Sequence, residues 1–119
     1  MAQLAQAQEA DGNTMVGLRK RAWTFTINNW TEDDWKNVER LCNHNTEYIV
    51  GKEVGENGTP HLQGWIRFKN ARRFASIKSA LPRAHIEAAK GSKKDNLIYC
   101  SKEDTMPFTN CKVPKQAIT

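Results

Sequence analysis

Residues 61–69 alternate between two kinds of side chain, and this alternation constrains the fold more than any other feature of the sequence. Every second position is apolar or small: Leu62, Gly64, Ile66 and Phe68. The positions between them carry nitrogen, oxygen or aromatic groups: His61, Gln63, Trp65 and Arg67. Because successive side chains of a β-strand point to opposite faces of a sheet, the pattern predicts a strand with one buried face and one polar face.

A second alternating segment lies at residues 22–29, where every second side chain is large and apolar: Trp23, Phe25 and Ile27. It predicts another strand that is buried on one side. Thr31 follows with Asp34 three residues later, a spacing typical of a capping box at the start of a helix. Trp30 and Trp35 occupy the two positions of a hydrophobic staple. The sequence therefore predicts a strand that leads directly into a helix.

Residues 48–54 predict a further strand, and the turn signal Asn57-Gly58 predicts that it forms a hairpin with the alternating strand. The remaining predicted elements are a helix at residues 71–81, a short strand at residues 83–89 and a third helix that follows Ser92. The pattern is lost after Met106-Pro107. This order predicts an α+β fold, in which an antiparallel sheet has helices packed on its apolar face and leaves its other face open.

The length of 119 residues is that of a single domain. Because the apolar pattern is confined to the middle of the chain, we expect a flexible arm at residues 1–18, a folded domain at residues 19–108 and a tail at residues 109–119. Lys and Arg number 18 against 13 Asp and Glu, and the net charge of +5 favours a polyanionic partner. Charge alone is equally compatible with a basic protein that has no such partner.

The cysteines and the apolar segments indicate where the protein works. Three cysteines without a Cys-x-x-Cys pair indicate neither a disulfide framework nor a zinc finger, so we expect a reducing intracellular setting. No stretch has the length of a membrane span, and residues 1–18 contain no apolar signal-peptide core. We therefore expect no membrane partner.

Three side chains on the polar side of the predicted hairpin form a candidate metal site. His61 and Gln63 lie two apart on one strand, and Glu53 has the matching parity on the other. A carboxylate, an amide oxygen and an imidazole suit a hard divalent cation such as Mg²⁺ or Mn²⁺ better than zinc. The alternative is that His61, which follows Pro60, bonds only to the backbone and that the hairpin has a merely hydrated polar face.

Tyr99 and Lys102 are three residues apart and are therefore neighbours on a helix. A tyrosine with a pKa near its reference value of about 10 is a poor nucleophile and needs an activated phosphate with cationic help. Lys102 could neutralise the charge that develops there. The alternative is structural, with Tyr99 packed beside Leu97 and Ile98 and only its hydroxyl at the surface.

The face predicted to be open carries further residues suited to nucleic acid: Trp65, Arg67, His85 and Glu87. An aromatic side chain among cationic residues offers a nucleobase a surface on which to stack. His85 and Glu87 are explained equally well by a solvated edge strand. The chain has no Gly-Lys-Ser/Thr phosphate-binding loop, so no nucleotide-hydrolysing site of that kind is expected.

Three segments taken in order resemble the motifs of rolling-circle replication-initiator proteins from circular single-stranded DNA viruses of the circovirus and nanovirus type. They are Phe-Thr-Ile-Asn-Asn at residues 25–29, His-Leu-Gln-Gly at residues 61–64 and Tyr-Cys-Ser-Lys at residues 99–102. The resemblance extends from about Lys20 to Asp104. It implies the HUH endonuclease fold, which is ferredoxin-like or RRM-like and has a five-stranded antiparallel sheet.

The resemblance also implies an activity, namely nicking of one DNA strand in the loop of an origin hairpin. Tyr99 would form a 5′-phosphotyrosine link and release a 3′-hydroxyl for the host replication machinery, and Lys102 would assist at the phosphate. The implied metal ligands are Glu53, His61 and Gln63. The residues implied to bind and place the DNA are Phe25, Thr26, Ile27, Asn28 and Asn29.

Two departures from the family pattern qualify this resemblance. The motif is named for two histidines, and Gln63 stands where the second would be, as in circovirus-like members. Such proteins also continue into a helicase domain, so we expect this chain to be an N-terminal nuclease domain whose full-length protein oligomerises through other regions. The implied location is the host nucleus.

Two other functions remain open on the sequence alone. A non-catalytic module that binds single-stranded nucleic acid would also have a basic sheet face with Trp65 as a stacking surface. An oligomerisation or repressor domain would instead bury that face against another copy. Neither alternative requires the hydroxyl of Tyr99.

Overall fold

The computed structural model describes residues 17–115. Its elements in chain order are β1 (Arg19–Asn28), α1 (Glu32–Leu41), β2 (Thr46–Glu53), β3 (His61–Arg73), α2 (Phe74–Ala80), β4 (His85–Ala88), α3 (Lys93–Cys100) and β5 (Phe108–Thr109). The strands form one antiparallel sheet in the order β4-β1-β3-β2-β5. The predicted α+β class and five-stranded sheet are confirmed. The predicted arm lies almost entirely outside the described residues. No helix within residues 17–115 is long and apolar enough to cross a membrane.

The start of α1 follows the predicted capping pattern. The backbone N–H of Asp34 donates to the Thr31 hydroxyl, and the N–H of Thr31 donates to the Asp34 carboxylate at 2.8 Å. The rings of Trp30 and Trp35 lie 5.9 Å apart, as the hydrophobic staple requires. Asn29, with φ of 51°, turns the chain between β1 and the helix, a conformation that asparagine tolerates better than most residues. Local sequence thus determines how α1 begins.

The first face of the sheet, defined as the one to which Leu62 and Ile66 of β3 point, carries the main core. Both α1 and α2 pack on it through Val38 and Ile77, which are fully buried. The alternating residues of β1 point the same way and are at most 1% exposed: Trp23, Phe25 and Ile27. The predicted burial of this face under helices is confirmed.

The second face, to which His61, Gln63 and Trp65 point, is not open along its whole length as predicted. α3 packs on it and forms a separate cluster of buried side chains: Ile49, Trp65, Leu97 and Cys100. The expectation that Trp65 is exposed is wrong, because only 1% of it is exposed. The parity of β3 was predicted correctly. Trp65 is nevertheless buried, because it packs with Leu97 of α3 and both side chains thereby remove apolar surface from water.

Two of the boundaries that differ from prediction do so for the same physical reason, which is strand pairing. Residues 71–73 belong to β3 and not to a helix, since Arg72 and Arg73 pair with the beginning of β1. β5 forms where the sequence pattern was expected to end, because Thr109 pairs with Ile49 of β2. Cys111 and Val113 also pack against the second cluster. Ordered packing therefore extends past residue 108, while residues 116–119 lie outside the described part.

Candidate active site

Glu53 and His61 face one another at the end of the β2–β3 hairpin. The Nε2 atom of His61 lies 2.9 Å from Oε1 of Glu53, whose side chain is 2% exposed. The Nδ1 atom of His61 lies 3.2 Å from the backbone oxygen of Thr59. One ring nitrogen of His61 therefore contacts the backbone and the other contacts Glu53, and the prediction that His61 binds a metal stays a prediction.

Lys102 completes this group from a different part of the chain. Its Nζ atom lies 2.9 Å and 2.7 Å from the two carboxylate oxygens of Glu53. The same ammonium lies 3.7 Å from the centroid of the Tyr99 ring. A carboxylate with so little exposure needs nearby positive charge, and Lys102 supplies it. The sequence placed Lys102 beside Tyr99 but did not predict its contact with Glu53.

Gln63 lies two residues further along β3, on the same face as His61. Its Oε1 atom accepts a hydrogen bond of 3.1 Å from the hydroxyl of Thr26 on the neighbouring strand β1. The two side chains open into a cleft of about 270 Å³ that Tyr99 also lines. The structure thus brings together residues from all three sequence motifs.

Tyr99 stands at the edge of this cleft and is 52% exposed. α3, which carries it, starts at a capping box between Ser92 and Asp95. The side chain of Asn96 is buried and donates hydrogen bonds to two backbone oxygens of the preceding turn, those of Lys90 and Ser92. These bonds hold the helix so that Tyr99 faces the cleft while the next residue faces the core.

That next residue, Cys100, is fully buried, and burial raises the pKa of its thiol to about 12. A thiol is a nucleophile only as the thiolate. Cys100 therefore cannot compete with Tyr99 as the attacking group near neutral pH.

Two glycines allow the motif segments to approach one another. A Cβ atom on Gly64 would lie 2.2 Å from the ring of Phe25, and one on Gly51 would lie 2.0 Å from the backbone oxygen of Cys100. Gly64 thus lets β3 pack against the core side of β1, and Gly51 lets the last turn of α3 rest on β2. The alternation pattern did not reveal the closeness of these contacts, since it contains no information on which helix crosses which strand.

The predicted DNA contacts separate into accessible and buried residues. Thr26, His85 and Glu87 line the cleft, and Nε2 of His85 lies 2.8 Å from a carboxylate oxygen of Glu87. Asn28 and Asn29 are exposed at the end of β1.

The side chains of Phe25, Ile27 and Trp65 are each 1% exposed and offer DNA almost no side-chain surface, although Phe25 borders the cleft, and their contact with DNA stays a prediction. Phe25 and Ile27 belong to the main core because their parity on β1 points them to the first face. Arg67 is engaged by Glu47 at 2.6 Å, well along β3 from His61. Thr24, Asn96 and Lys90 also line the cleft and were not predicted, although Thr24 shares the parity of Thr26.

The predicted metal ligands Glu53, His61 and Gln63 lie on the same face of the β2–β3 hairpin. No cluster of three or more His, Cys, Asp and Glu side chains suited to a metal occurs within residues 17–115, so the third donor would have to be the Gln63 amide oxygen. The ammonium of Lys102, which contacts both oxygens of Glu53, shows that a cation can be held at this carboxylate. A carboxylate, an imidazole and an amide oxygen are donors that a hard divalent cation such as Mg²⁺ or Mn²⁺ accepts.

Comparison with known proteins relates this geometry to a family. The family model described as "Putative viral replication protein" matches residues 20–103. The chain is 51% identical over 90 residues to the replication-associated protein of Beak and feather disease virus, covering 75% of this chain and 31% of that protein.

Two further relatives are also viral replication proteins. The replication-associated protein of Porcine circovirus 2 is 41% identical over 98 residues, covering 80% of this chain and 31% of that protein. The master replication protein of Banana bunchy top virus is 36% identical over 84 residues, covering 70% and 27%. The chain thus spans about a third of the length of these relatives. It belongs to the family of viral replication proteins, as a replication protein of the circular single-stranded DNA viruses.

Proposed function

We propose that this domain nicks and rejoins single-stranded DNA, with Tyr99 as the nucleophile. The observation that carries the proposal is the position of Tyr99, which is half-exposed in a cleft with Gln63 and has its ring against the ammonium that binds Glu53. A tyrosine, a cation and a set of metal donors are the groups that phosphoryl transfer to a hydroxyl needs. The family's role in viral replication supports the proposal.

In the proposed reaction, the phenolic oxygen of Tyr99 forms a bond to the phosphorus of one phosphodiester. The bond between that phosphorus and the 3′ oxygen of the preceding nucleotide breaks, and the tyrosine proton ends on the released 3′-hydroxyl. The 5′ side of the break remains linked to Tyr99 as a phosphotyrosine. Attack of a 3′-hydroxyl on that link reverses the reaction and rejoins the strand.

Glu53, His61 and Gln63 would hold the divalent cation, Mg²⁺ or Mn²⁺. When bound, such a cation polarises a phosphate oxygen and stabilises the negative charge of the transition state. The buried carboxylate of Glu53 supplies the charge of the site, and the Thr26 hydroxyl holds the Gln63 amide in place.

Lys102 has two roles in this proposal. In the arrangement described here its ammonium compensates the charge of Glu53. Because it also lies over the ring of Tyr99, it is within reach of a phosphate that Tyr99 attacks and would neutralise the charge that develops there. The cleft residues Thr26, His85 and Glu87 would position the strand.

The wider setting of the reaction is also a proposal. The DNA would be the loop of an origin hairpin, and the released 3′-hydroxyl would be extended by host replication machinery in the host nucleus. Regions outside this chain would assemble the full-length protein into an oligomer. These points rest on the resemblance to replication-associated proteins.

The test is formation of a covalent protein–DNA adduct that survives denaturing electrophoresis, with a hairpin-loop oligonucleotide and Mn²⁺. Tyr99→Phe should abolish the adduct, a fall on the order of 10⁴-fold or more, while binding of single-stranded DNA persists. The chain offers a matched control in its other tyrosine, Tyr48, and Tyr48→Phe should still form the adduct.

Two results would contradict the proposal. One is an adduct that persists in Tyr99→Phe, or that peptide mapping locates at another residue. The other is a parent domain that binds the oligonucleotide but never forms an adduct, which would favour the non-catalytic binding module.

A further inference from the structure

Two adjoining clefts lie at the end of the sheet opposite to the candidate active site. They have volumes of about 390 Å³ and 260 Å³ and share four lining residues: Asn45, Thr46, Phe68 and Lys69. They lie where the loop after α1 meets the second half of β3, since Thr46 pairs with Phe68. We call the two together the basic groove, after the five lysine and arginine residues that line it: Arg21, Arg40, Arg67, Lys69 and Arg72.

Three of the four arginines of the basic groove are held by neutral partners. Arg21 donates to the backbone oxygen of Phe68 at 3.1 Å, and Arg40 donates to the Asn37 side chain at 2.7 Å. Arg72 donates to the hydroxyl of Ser76. These bonds position the guanidinium groups without neutralising their charge.

Acidic residues offer little compensation there. Among the described residues that line the groove, the one carboxylate is that of Glu47. Two cations already bind it, namely Arg67 of the groove at 2.6 Å and Lys93 at 2.5 Å. The groove therefore has a surplus of fixed positive charge in a concave surface, which attracts a polyanion.

The chemistry of the groove favours phosphate among the anions. An arginine fork presents paired N–H donors in a geometry that matches phosphate oxygens. Arg72 also stacks over the ring of Phe68 at 4.6 Å, which holds its plane. Asn45 lines the groove and is exposed, so its amide can donate a further hydrogen bond.

The distance between the groove and the candidate active site is set by β3. His61 lies at one end of this strand and Lys69 lies eight residues on, which at about 3.3 Å per residue is roughly 26 Å. A DNA duplex covers that length with about eight base pairs. A short oligonucleotide bound at Tyr99 would not reach the groove, whereas a longer DNA would.

We propose that the basic groove is a second DNA site, which binds the phosphodiester backbone of the DNA beyond the nicked segment. The inference rests on the proposed function, because it takes the ligand of the two sites to be one DNA molecule. The groove would add affinity without contributing to the chemical step.

The test compares DNA of different lengths with one variant, Arg40→Gln/Lys69→Gln/Arg72→Gln. Binding is measured by fluorescence anisotropy over a range of salt concentrations. The probes are a short single strand that contains only the nicked segment, the same segment in a hairpin with a long stem, and the same segment with a long single-stranded extension. None of the three substituted residues belongs to the candidate active site.

The variant should bind at least one of the two long DNAs more weakly, with the slope of log affinity against log salt reduced by about 2–3, close to one for each lost phosphate contact. Its affinity for the short strand and its rate of adduct formation on that strand should match the parent. A greater loss with the hairpin assigns the groove to duplex DNA, and a greater loss with the extension assigns it to single-stranded DNA. Lys69→Gln alone should reduce the slope by about 1 and serves if the triple variant does not fold.

A charge-matched control separates a site from general attraction. Lys36, Lys112 and Lys115 are exposed and do not line the groove, so Lys36→Gln/Lys112→Gln/Lys115→Gln removes the same charge elsewhere. Equal losses in the two triple variants would overturn the proposal, as would unchanged binding of both long DNAs by the groove variant or an equal loss on the short strand. Absence of an adduct in the parent would instead contradict the proposed function and leave the binding comparison intact.

Discussion

The two faces of this sheet are built from the same strands but differ in what they bury and what they expose. On the first face, α1 and α2 cover one continuous core that includes Trp23, Phe25 and Leu62. On the second face, α3 covers a small cluster around Trp65 and leaves the neighbouring area to polar side chains. The first face stabilises the fold, and the second face divides its area between packing and chemistry.

This difference indicates how a reactive residue is placed with so few elements. α3 has one side in the small cluster, through Leu97 and Cys100, and presents Tyr99 to the cleft from the other. Gly51 lets the last turn of the helix approach β2 closely. The packed part of the second face thus fixes the position of Tyr99 at the cleft, as a functional site on rigid elements requires.

The difference between the two faces is tested most strongly by substituting neighbouring residues of β3 that point to opposite faces. Leu62→Ala, on the first face, should lower the free energy of unfolding by about 2–5 kcal/mol, because it opens a cavity in the core. Gln63→Ala should lower it by at most about 1 kcal/mol, since it loses one hydrogen bond beside an open cleft. Chemical denaturation in EDTA measures both values, and similar losses would show that the second face is as important to stability as the first.

The second face can be tested for metal binding without measuring activity. Mn²⁺ at about one hundred times its dissociation constant should stabilise the parent by about 2.7 kcal/mol, because it binds only the folded state. His61→Ala should lose most of this stabilisation in thermal unfolding yet remain folded in EDTA. His44→Ala, at an exposed histidine outside the site, should keep it.

A related substitution tests the choice of metal at the same site. Gln63→His replaces an amide oxygen by an imidazole and should tighten binding of Co²⁺ or Ni²⁺ relative to Mg²⁺. Unchanged metal preference, or nicking by His61→Ala at the parental rate, would show that the hairpin is not the metal site.

The contact between α3 and the sheet offers a prediction of intermediate size. Gly51→Ala should destabilise the protein by about 1–3 kcal/mol and reduce adduct formation, because the new Cβ atom would lie 2.0 Å from the oxygen of Cys100 and displace the helix. Gly17→Ala is the control, since no atom lies within 4 Å of its Cβ position. Circular dichroism and the adduct assay measure the two effects, and full activity in Gly51→Ala would show that α3 need not be held so closely.

The smallest expected effect concerns Lys102 and sharpens the picture of the open area. Its ammonium contacts both oxygens of Glu53, so it competes with a metal ion for that carboxylate. Lys102→Met should therefore tighten Mn²⁺ binding by about tenfold, or about 1.4 kcal/mol. Titration calorimetry measures the affinity, with Lys94→Met on the exposed side of the same helix as a control. Unchanged or weaker binding would mean that the ammonium and the metal do not share Glu53.

Much of the local structure followed from the sequence because its determinants are close together in the chain. The caps at Thr31 and Ser92 and the alternation in β1 and β3 each involve residues only two or three positions apart. The boundary between β3 and α2 was predicted less well, because pairing of Arg72 and Arg73 with β1 is a contact between distant segments.

The candidate site shows the same division. The facing of Glu53 and His61 could be predicted, since a hairpin brings residues eight positions apart into register. The contact between Lys102 and Glu53 joins residues 49 positions apart and could not. The burial of Trp65 was not predicted. The alternation of β3 places Trp65 on the polar face, and that pattern does not indicate that α3 covers this position.

By itself, then, the sequence determined which side chains share a face of the sheet, because the period of two in a strand is a local property of the backbone. Only the tertiary structure decided which part of the second face would be covered. α3 is short, and its position on the sheet depends on the packing of Leu97 against Trp65 and on the absence of a side chain at Gly51. That placement brings Lys102 to Glu53 and Tyr99 to the cleft, since long-range packing sets the distance between groups that the chain itself keeps far apart.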